Sequence, residues 1–190
     1  MIRAVLLLCI SLFISACSTS PKTTHIPPAT VEAITQWQAT GRVGIRTSED
    51  AISGNFNWQH TPQGFNLVIS GPFGQGTTKV SQDTNQLITL EYKDTKVTGS
   101  NAGQLLEQHF GWQFPVHQIA YWARGLADPT TAAAFSYNID TQLLQELIQD
   151  GWQVTYKEYS EIDGLQLPRK LQAVKAPFRV NLIINNWSIQ

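Results

Sequence analysis

Few side chains in this chain stand at the spacings that catalysis requires. Of four histidines, His25 lies in a polar N-terminal stretch, and His60 ends an alternating segment. His109 and His117 fall on either side of a helix break. No H-E-x-x-H or similar ligand spacing occurs and no cysteines are paired, so no metal site is expected. Gly71-Pro72-Phe73-Gly74-Gln75-Gly76 ahead of Lys79 resembles a phosphate loop only in its glycines. It lacks the G-K-[ST] order and leads into a strand, which leaves no helix N-terminus for a phosphate. A G-x-S-x-G elbow is absent. Glu158, Glu161 and Asp163 cluster near a predicted hairpin end, where solvated carboxylates are ordinary and a glycosidase pair is the weaker explanation. The expectation is a protein that is not an enzyme and carries no cofactor.

Cys17 is the exception. Arg3 is the only charge before an apolar run from Ala4 to Ile14, and Ser15 and Ala16 are the small residues of a cleavage site. About 11 apolar residues span only ~16 Å as a helix, against a ~30 Å hydrocarbon core. No permanent transmembrane helix is expected. Ile14-Ser15-Ala16-Cys17 resembles the bacterial lipobox, whose cysteine receives a diacylglycerol thioether and becomes the acylated N-terminus. The alternative is a chance cysteine in an ordinary signal peptide. Counting opposes it: Cys9 lies in the discarded segment, so the mature chain keeps one cysteine and can form no internal disulfide. Several acyl chains, at ~0.8 kcal/mol per buried CH₂, anchor a protein where one chain does not. In lipoproteins an Asp after the cysteine implies inner-membrane retention, so Ser18 favours the outer membrane.

The chain therefore divides into a signal peptide (1–16), a lipidated polar and proline-bearing tether (17–28) and a domain (29–190) large enough for its own core. Only 14% of residues are charged and the formal net charge is −1. Without a basic stripe, nucleic acid is not an expected partner. A monomer is expected.

Ala29 to Gln36 reads as a short helix opened by Pro28, after which the hydrophobic period becomes two. Trp37, Ala39, Gly41, Val43 and Ile45 share one face, and Ile52, Gly54, Phe56 and Trp58 repeat the pattern. Alternation of this kind marks antiparallel strands with one buried and one wet face. Further strands are expected at Phe65–Ile69, Thr77–Ser81, Gln86–Tyr92 and Lys96–Thr98, most of them separated by turn residues. Asn101 can cap a helix with a stripe of Ala102, Leu105, Leu106, His109 and Phe110, ended by Gly111. Pro115 suits the first turn of a second helix, through Val116, Ile119, Ala120 and Ala123, stopped by Gly125. Strands resume at Trp152–Tyr159, Arg169–Val174 and Phe178–Ile184. Thr141 to Gln149 has helix-favouring residues, yet Gln149-Asp150-Gly151 is a hairpin turn signal, and it is read as a strand. About nine or ten one-sided strands result, and two short helices cover only part of such a sheet. Ala39, Gly41 and Gly54 among large aromatics suit a curved sheet that keeps a cavity, or else strand crossings and bulges.

The lipobox, the entry to the first strand at Trp37, the Pro-aromatic-Gly loop between strands within 65–80, and Trp122-x-x-Gly125-Leu126 together resemble the LolB family. So do Tyr156-x-x-Tyr159 and the ending Leu167-Pro168 … Asn186-Trp187. The resemblance covers essentially all of the chain after the signal. It implies a mainly β fold: an incomplete, curved antiparallel β-barrel of about 10–11 strands with a helical lid over a hydrophobic cavity. It also implies an outer-membrane receptor, lipid-anchored and facing the periplasm. Such a receptor accepts lipoproteins through their acyl chains from a soluble LolA-like carrier and inserts them into the outer membrane. Its partners would be that carrier, acylated cargo and outer-membrane lipid. The family's protruding apolar residue, in a Pro-hydrophobe-Gly loop, maps onto Phe73 with Pro72 and Gly74; phenylalanine replaces the usual leucine. Inward residues expected to line the cavity are Val43, Ile45, Phe56, Trp58, Phe65, Leu67, Ile69, Leu105 and Trp122. A structural or assembly lipoprotein needs the same anchor without a cavity, and a lipoprotein hydrolase needs a catalytic group that the sequence does not display.

Overall fold

The period-two segments become strands that pair in the order in which they are made. A computed structural model describes residues 28–71, 74 and 76–190. The expected signal peptide, Cys17, nearly all of the tether, Pro72 and Phe73 lie outside the described residues. The first run of strands is β1 (Trp37–Arg46), β2 (Ala51–Thr61), β3 (Gly64–Ser70), β4 (Thr78–Gln82), β5 (Ile88–Tyr92) and β6 (Thr95–Gly99). Two helices follow, α1 (Ala102–Phe110) and α2 (Val116–Trp122). The second run is β7 (Ala133–Tyr137), β8 (Leu144–Gln149), β9 (Trp152–Ile162), β10 (Leu165–Lys175) and β11 (Phe178–Ile189).

All eleven form one open sheet in the order β6-β5-β4-β3-β2-β1-β11-β10-β9-β8-β7. Every neighbouring pair is antiparallel, and the first and last strands join the two runs at the centre, with Val43 opposite Leu182 and Ile45 opposite Val180. Alternate residues of each strand point inward, where Val43, Phe56, Leu67, Leu90, Val154, Leu171 and Leu182 belong to one continuous buried cluster. The segment from Ser100 to Ala132 connects the two sheet edges and carries both helices across the open side.

The two helices form where expected. Asn101 accepts the Gln104 backbone N–H at 2.9 Å, and Gly111, at φ +66°, closes α1 in the left-handed region. Ala102, Leu105 and Leu106 are buried beneath α1; Val116, Ile119, Ala120 and Trp122 are buried beneath α2. The segment ending at Gln149 is a strand from Leu144, and Asp150 (φ +50°) with Gly151 (φ +78°) makes the tight turn that leads into β9.

Two expectations change, and one pair of alternatives is decided. Ala29 to Gln36 is not a helix: it makes a turn, with Ala33 N–H to Thr30 O and Ile34 N–H to Val31 O at 3.2 Å, and then extends. Gln36 and Gln190 exchange backbone hydrogen bonds, while Arg124 Nη1 donates to Ile34 O at 2.8 Å. So short a segment nucleates a helix weakly, and these distant partners take its backbone groups instead. Secondly, Gly41 and Gly54 relieve strand contacts. A Cβ on Gly41, at a bulge between Thr40 and Gly41, would sit 2.0 Å from Ile183 O, and one on Gly54 would sit 2.4 Å from Ser70 O. Their smallness serves backbone approach. Thirdly, β7 is an additional strand. It forms a bare edge on which Phe135 and Tyr137 are half exposed.

Candidate functional site

The lid does not touch the sheet evenly. On the side of β8 and β9 it is bolted down. Gln149, 1% exposed, accepts Trp122 Nε1–H at 2.9 Å and Asp128 N–H at 3.0 Å through Oε1. Its Nε2 donates to Asp128 O at 2.7 Å and to Thr131 O at 3.0 Å. The buried Asp128 carboxylate accepts from Thr130 N–H and Oγ1–H through Oδ1, and His117 Nε2 lies 3.2 Å from Oδ2. Tyr156 O–H donates to Trp122 O at 3.0 Å. Burial pushes the Tyr156 and Tyr159 phenols above the usual tyrosine range, so both stay neutral donors.

On the side of β2 to β5 the lid stands off and leaves a cavity of about 510 Å³, within the range of small-molecule sites. Trp58, Phe65 and Ile88 line it from the sheet; Ala102, Val116 and Ala120 line it from the lid. Its polar border includes His60, Gln82, Gln86, His117, Gln118 and Thr130. The His60 ring stacks on Trp37 at 5.2 Å with 4° between planes. Burial, and next the Arg124 cation, hold the His60 pKa below the usual histidine value. His60 is thus kept neutral by its surroundings. Arg124 is itself buried, which lowers its pKa, and stacks over Tyr121 at 5.2 Å.

Of the nine residues expected to line a cavity, the structure brings Trp58 and Phe65 to it. Val43, Ile45, Phe56, Leu67, Ile69, Leu105 and Trp122 pack in the continuous core. Ile88, Ala102, Val116, Ala120 and the polar border were missed. Strand periodicity tells the inward face, but not which part of that face the lid leaves uncovered. Gly74 (φ +77°) and Gly76 (φ +64°) carry left-handed backbone, and among the described residues nothing beyond their chain neighbours comes within 4 Å of where a Cβ would stand. Glu158 is paired with Arg169 and Lys170, so that carboxylate serves an ion pair. Among the described residues no group of histidine, cysteine or carboxylate side chains is placed to hold a metal.

A lidded, open half-barrel with a part-apolar cavity is the architecture of a binding protein for apolar ligands. The same fold is seen in the crystal structure of a putative outer membrane lipoprotein-sorting protein domain from Vibrio parahaemolyticus. That structure aligns at a TM-score of 0.52 and 8% identity over 82% of this chain and 85% of that one. A model of the family described as outer membrane lipoprotein LolB matches residues 35–187. An outer-membrane lipoprotein LolB of Marinomonas sp. (strain MWYL1) is 52% identical over 99% of this chain and 98% of its own. Counterparts from Chromohalobacter salexigens and Pseudomonas fluorescens are 31% and 32% identical, covering 84% and 80% of this chain and 73% of each relative. The chain belongs to the LolB family of outer-membrane lipoproteins. No helix among the described residues is long and apolar enough to cross a membrane.

Proposed function

We propose that this protein receives acylated lipoproteins from a soluble LolA-like carrier and passes them to the outer membrane, holding their acyl chains in the lidded cavity. The observation that carries this reading is the cavity itself, floored by Trp58, Phe65 and Ile88 and roofed by Ala102, Val116 and Ala120. An acyl chain of ~16 carbons has a hydration penalty on the order of 10 kcal/mol, so it crosses water only inside a protein. The sequence has no nucleotide loop, and transfer runs down a gradient of affinity from carrier to receptor to bilayer. No bond is made or broken, and the protein acts without catalysis. Lipid on Cys17 holds the protein at the membrane, the tether lets the domain reach the carrier, and one copy suffices.

Release is assigned to the loop between β3 and β4. Pro72 and the flanking Gly74 would hold Phe73 outward, where its burial in a bilayer recovers ~1.5–3 kcal/mol. A two-step assay tests this: load the receptor from carrier-bound lipoprotein and recover it, then add outer-membrane vesicles and follow release. Phe73→Glu should load normally, change stability by less than ~0.5 kcal/mol and accumulate as a loaded intermediate, because a carboxylate resists the apolar bilayer. Phe73→Leu should deliver nearly normally. Normal delivery by Phe73→Glu, or loss of loading together with thermal stability, overturns the assignment. Cys17→Ser should still load but fractionate as soluble.

A further inference from the structure

Among the described residues two indole N–H groups and one imidazole nitrogen are buried without partners, and they lie together. Trp37 Nε1, Trp58 Nε1 and His60 Nδ1 make no hydrogen bond, although Trp37 and Trp58 are only 3% and 2% exposed. His60 stacks on Trp37, and Trp37 meets Trp58 edge-on at 5.3 Å. Trp58 and His60 line the cavity under the lid; Trp37 and His60 line an adjoining void of about 230 Å³. Among the described residues the fourth such atom, Asn66 Oδ1, belongs to the opposite face of β3. Two other tryptophans are satisfied: Trp122 Nε1 donates to Gln149, and Trp187 Nε1 donates to Pro168 O at 3.3 Å.

Buried donors left unpaired are costly, and native folds keep few of them. A cavity meant for hydrocarbon alone needs none. Lipoprotein acyl chains, however, end in ester or amide groups, each with a carbonyl acceptor. An imidazole that carries its proton on Nε2 keeps Nδ1 as an acceptor. Trp58 and His60 thus bring unpaired nitrogens, closed to water, beside the β2–β3 end of the cavity they line, and Ile88, Val116 and Ala102 supply an apolar path beyond them.

We propose that Trp58 Nε1–H and His60 Nδ1 form a polar subsite for the head of a bound acyl chain. The indole donates to an ester or amide carbonyl oxygen, and the imidazole nitrogen accepts from an amide N–H or a hydroxyl. The tail then lies between Ile88 and Val116. This subsite rests on the acyl-binding reading above and sets the direction in which the chain enters.

The test uses the full mature chain with Cys17→Ser, which removes only the lipid, and three probes of equal chain length: dodecane, methyl laurate and N-methyl lauramide. Each is titrated against a fluorescent fatty acid. The wild-type residue pair should favour the ester and amide over the alkane by about tenfold, the scale of one net hydrogen bond. Trp58→Phe keeps an aromatic ring in the cavity floor and removes the donor, so the ester-to-alkane and amide-to-alkane affinity ratios should fall to about one, whatever the variant does to the binding of dodecane itself. His60→Leu should lower the amide's affinity more than the ester's. On the unsubstituted residue pair, the Trp58 indole proton, one of six indole signals, should shift downfield with methyl laurate and not with dodecane. That measurement holds even if Trp58→Phe folds poorly. A preference that survives Trp58→Phe, or an indole signal that ignores the ester, overturns the subsite and leaves the cavity reading standing. Failure of all three probes to bind overturns the cavity reading and the subsite with it.

Discussion

The lid meets the sheet at two places built on opposite rules. Beside β8 and β9, Gln149, Asp128, Thr131 and Trp122 pair their buried polar groups with one another at distances of 2.7–3.0 Å, and apolar neighbours fill the space. Beside β2 to β5, about 510 Å³ stays open, and Trp58 and His60 keep polar atoms unpaired. One contact secures the lid, and the other leaves the space that the proposed function gives to a ligand. A fold that conforms to packing rules in one region and departs from them in another marks its working region by the departure.

The comparison is broken most severely at Gln149. Gln149→Leu would strand Trp122 Nε1–H, Asp128 N–H and Asp128 O, each at about 1–3 kcal/mol. The expected loss is about 3 kcal/mol or more, lowering the melting temperature by about 10 °C for a domain of this size. Thermal denaturation decides it; a near-neutral result would mean that the network does not hold the lid.

Adding bulk to each region sharpens the contrast. Ala173 is fully buried on β10, and Ala173→Leu should destabilise by about 1–3 kcal/mol through overpacking. Ala120 lines the cavity, so Ala120→Leu should fill space and stay within about 0.5 kcal/mol of the parent. It should nevertheless weaken binding of an acyl probe several-fold. Equal destabilisation by both would refute an open cavity.

The smallest effect concerns acidity. Burial and Arg124 hold the folded His60 pKa below the ordinary histidine value, so the unfolded chain takes up a proton first as pH falls. The stability His60 contributes is full above about pH 6.5 and is lost as pH falls through the lowered folded value. The melting temperature of the parent should therefore decline more steeply from pH 7 to 5 than that of His60→Gln, measured in one buffer series.

Most of the sheet could be read from alternation, because a strand with one buried face must repeat every second residue. That logic found β1 to β6 and β9 to β11, and the Gln149-Asp150-Gly151 turn decided β8 against its helix-favouring leucines. It failed at β7, where Ala133 to Tyr137 lies on an open edge and none of its side chains is fully buried. It failed at 29–36 because Gln190 and Arg124, far away in sequence, claim that backbone. The site was less legible. Trp58 and Phe65 share the inward face with Val43 and Leu67, and only the position of the lid separates lining from core. Gln149 helped to mark a turn but gave no sign of its buried role, since a buried glutamine and an exposed one are the same letter until their partners are known.

The position of the first strand has a consequence for biogenesis. β1 pairs on one side with β2 and on the other with β11, so the central seam joins residues as distant in sequence as Trp37 and Ile189. A chain threaded N-terminus first through the inner membrane can build the hairpins β1 to β6 as they emerge, but it cannot close that seam until the final strand has crossed. Contacts of such sequence separation form slowly, and until then the inward face of β1 lacks half of its neighbours. The newly exported protein therefore passes through an interval in which one flank of its own apolar surface is open, in a compartment crowded with other unfinished chains.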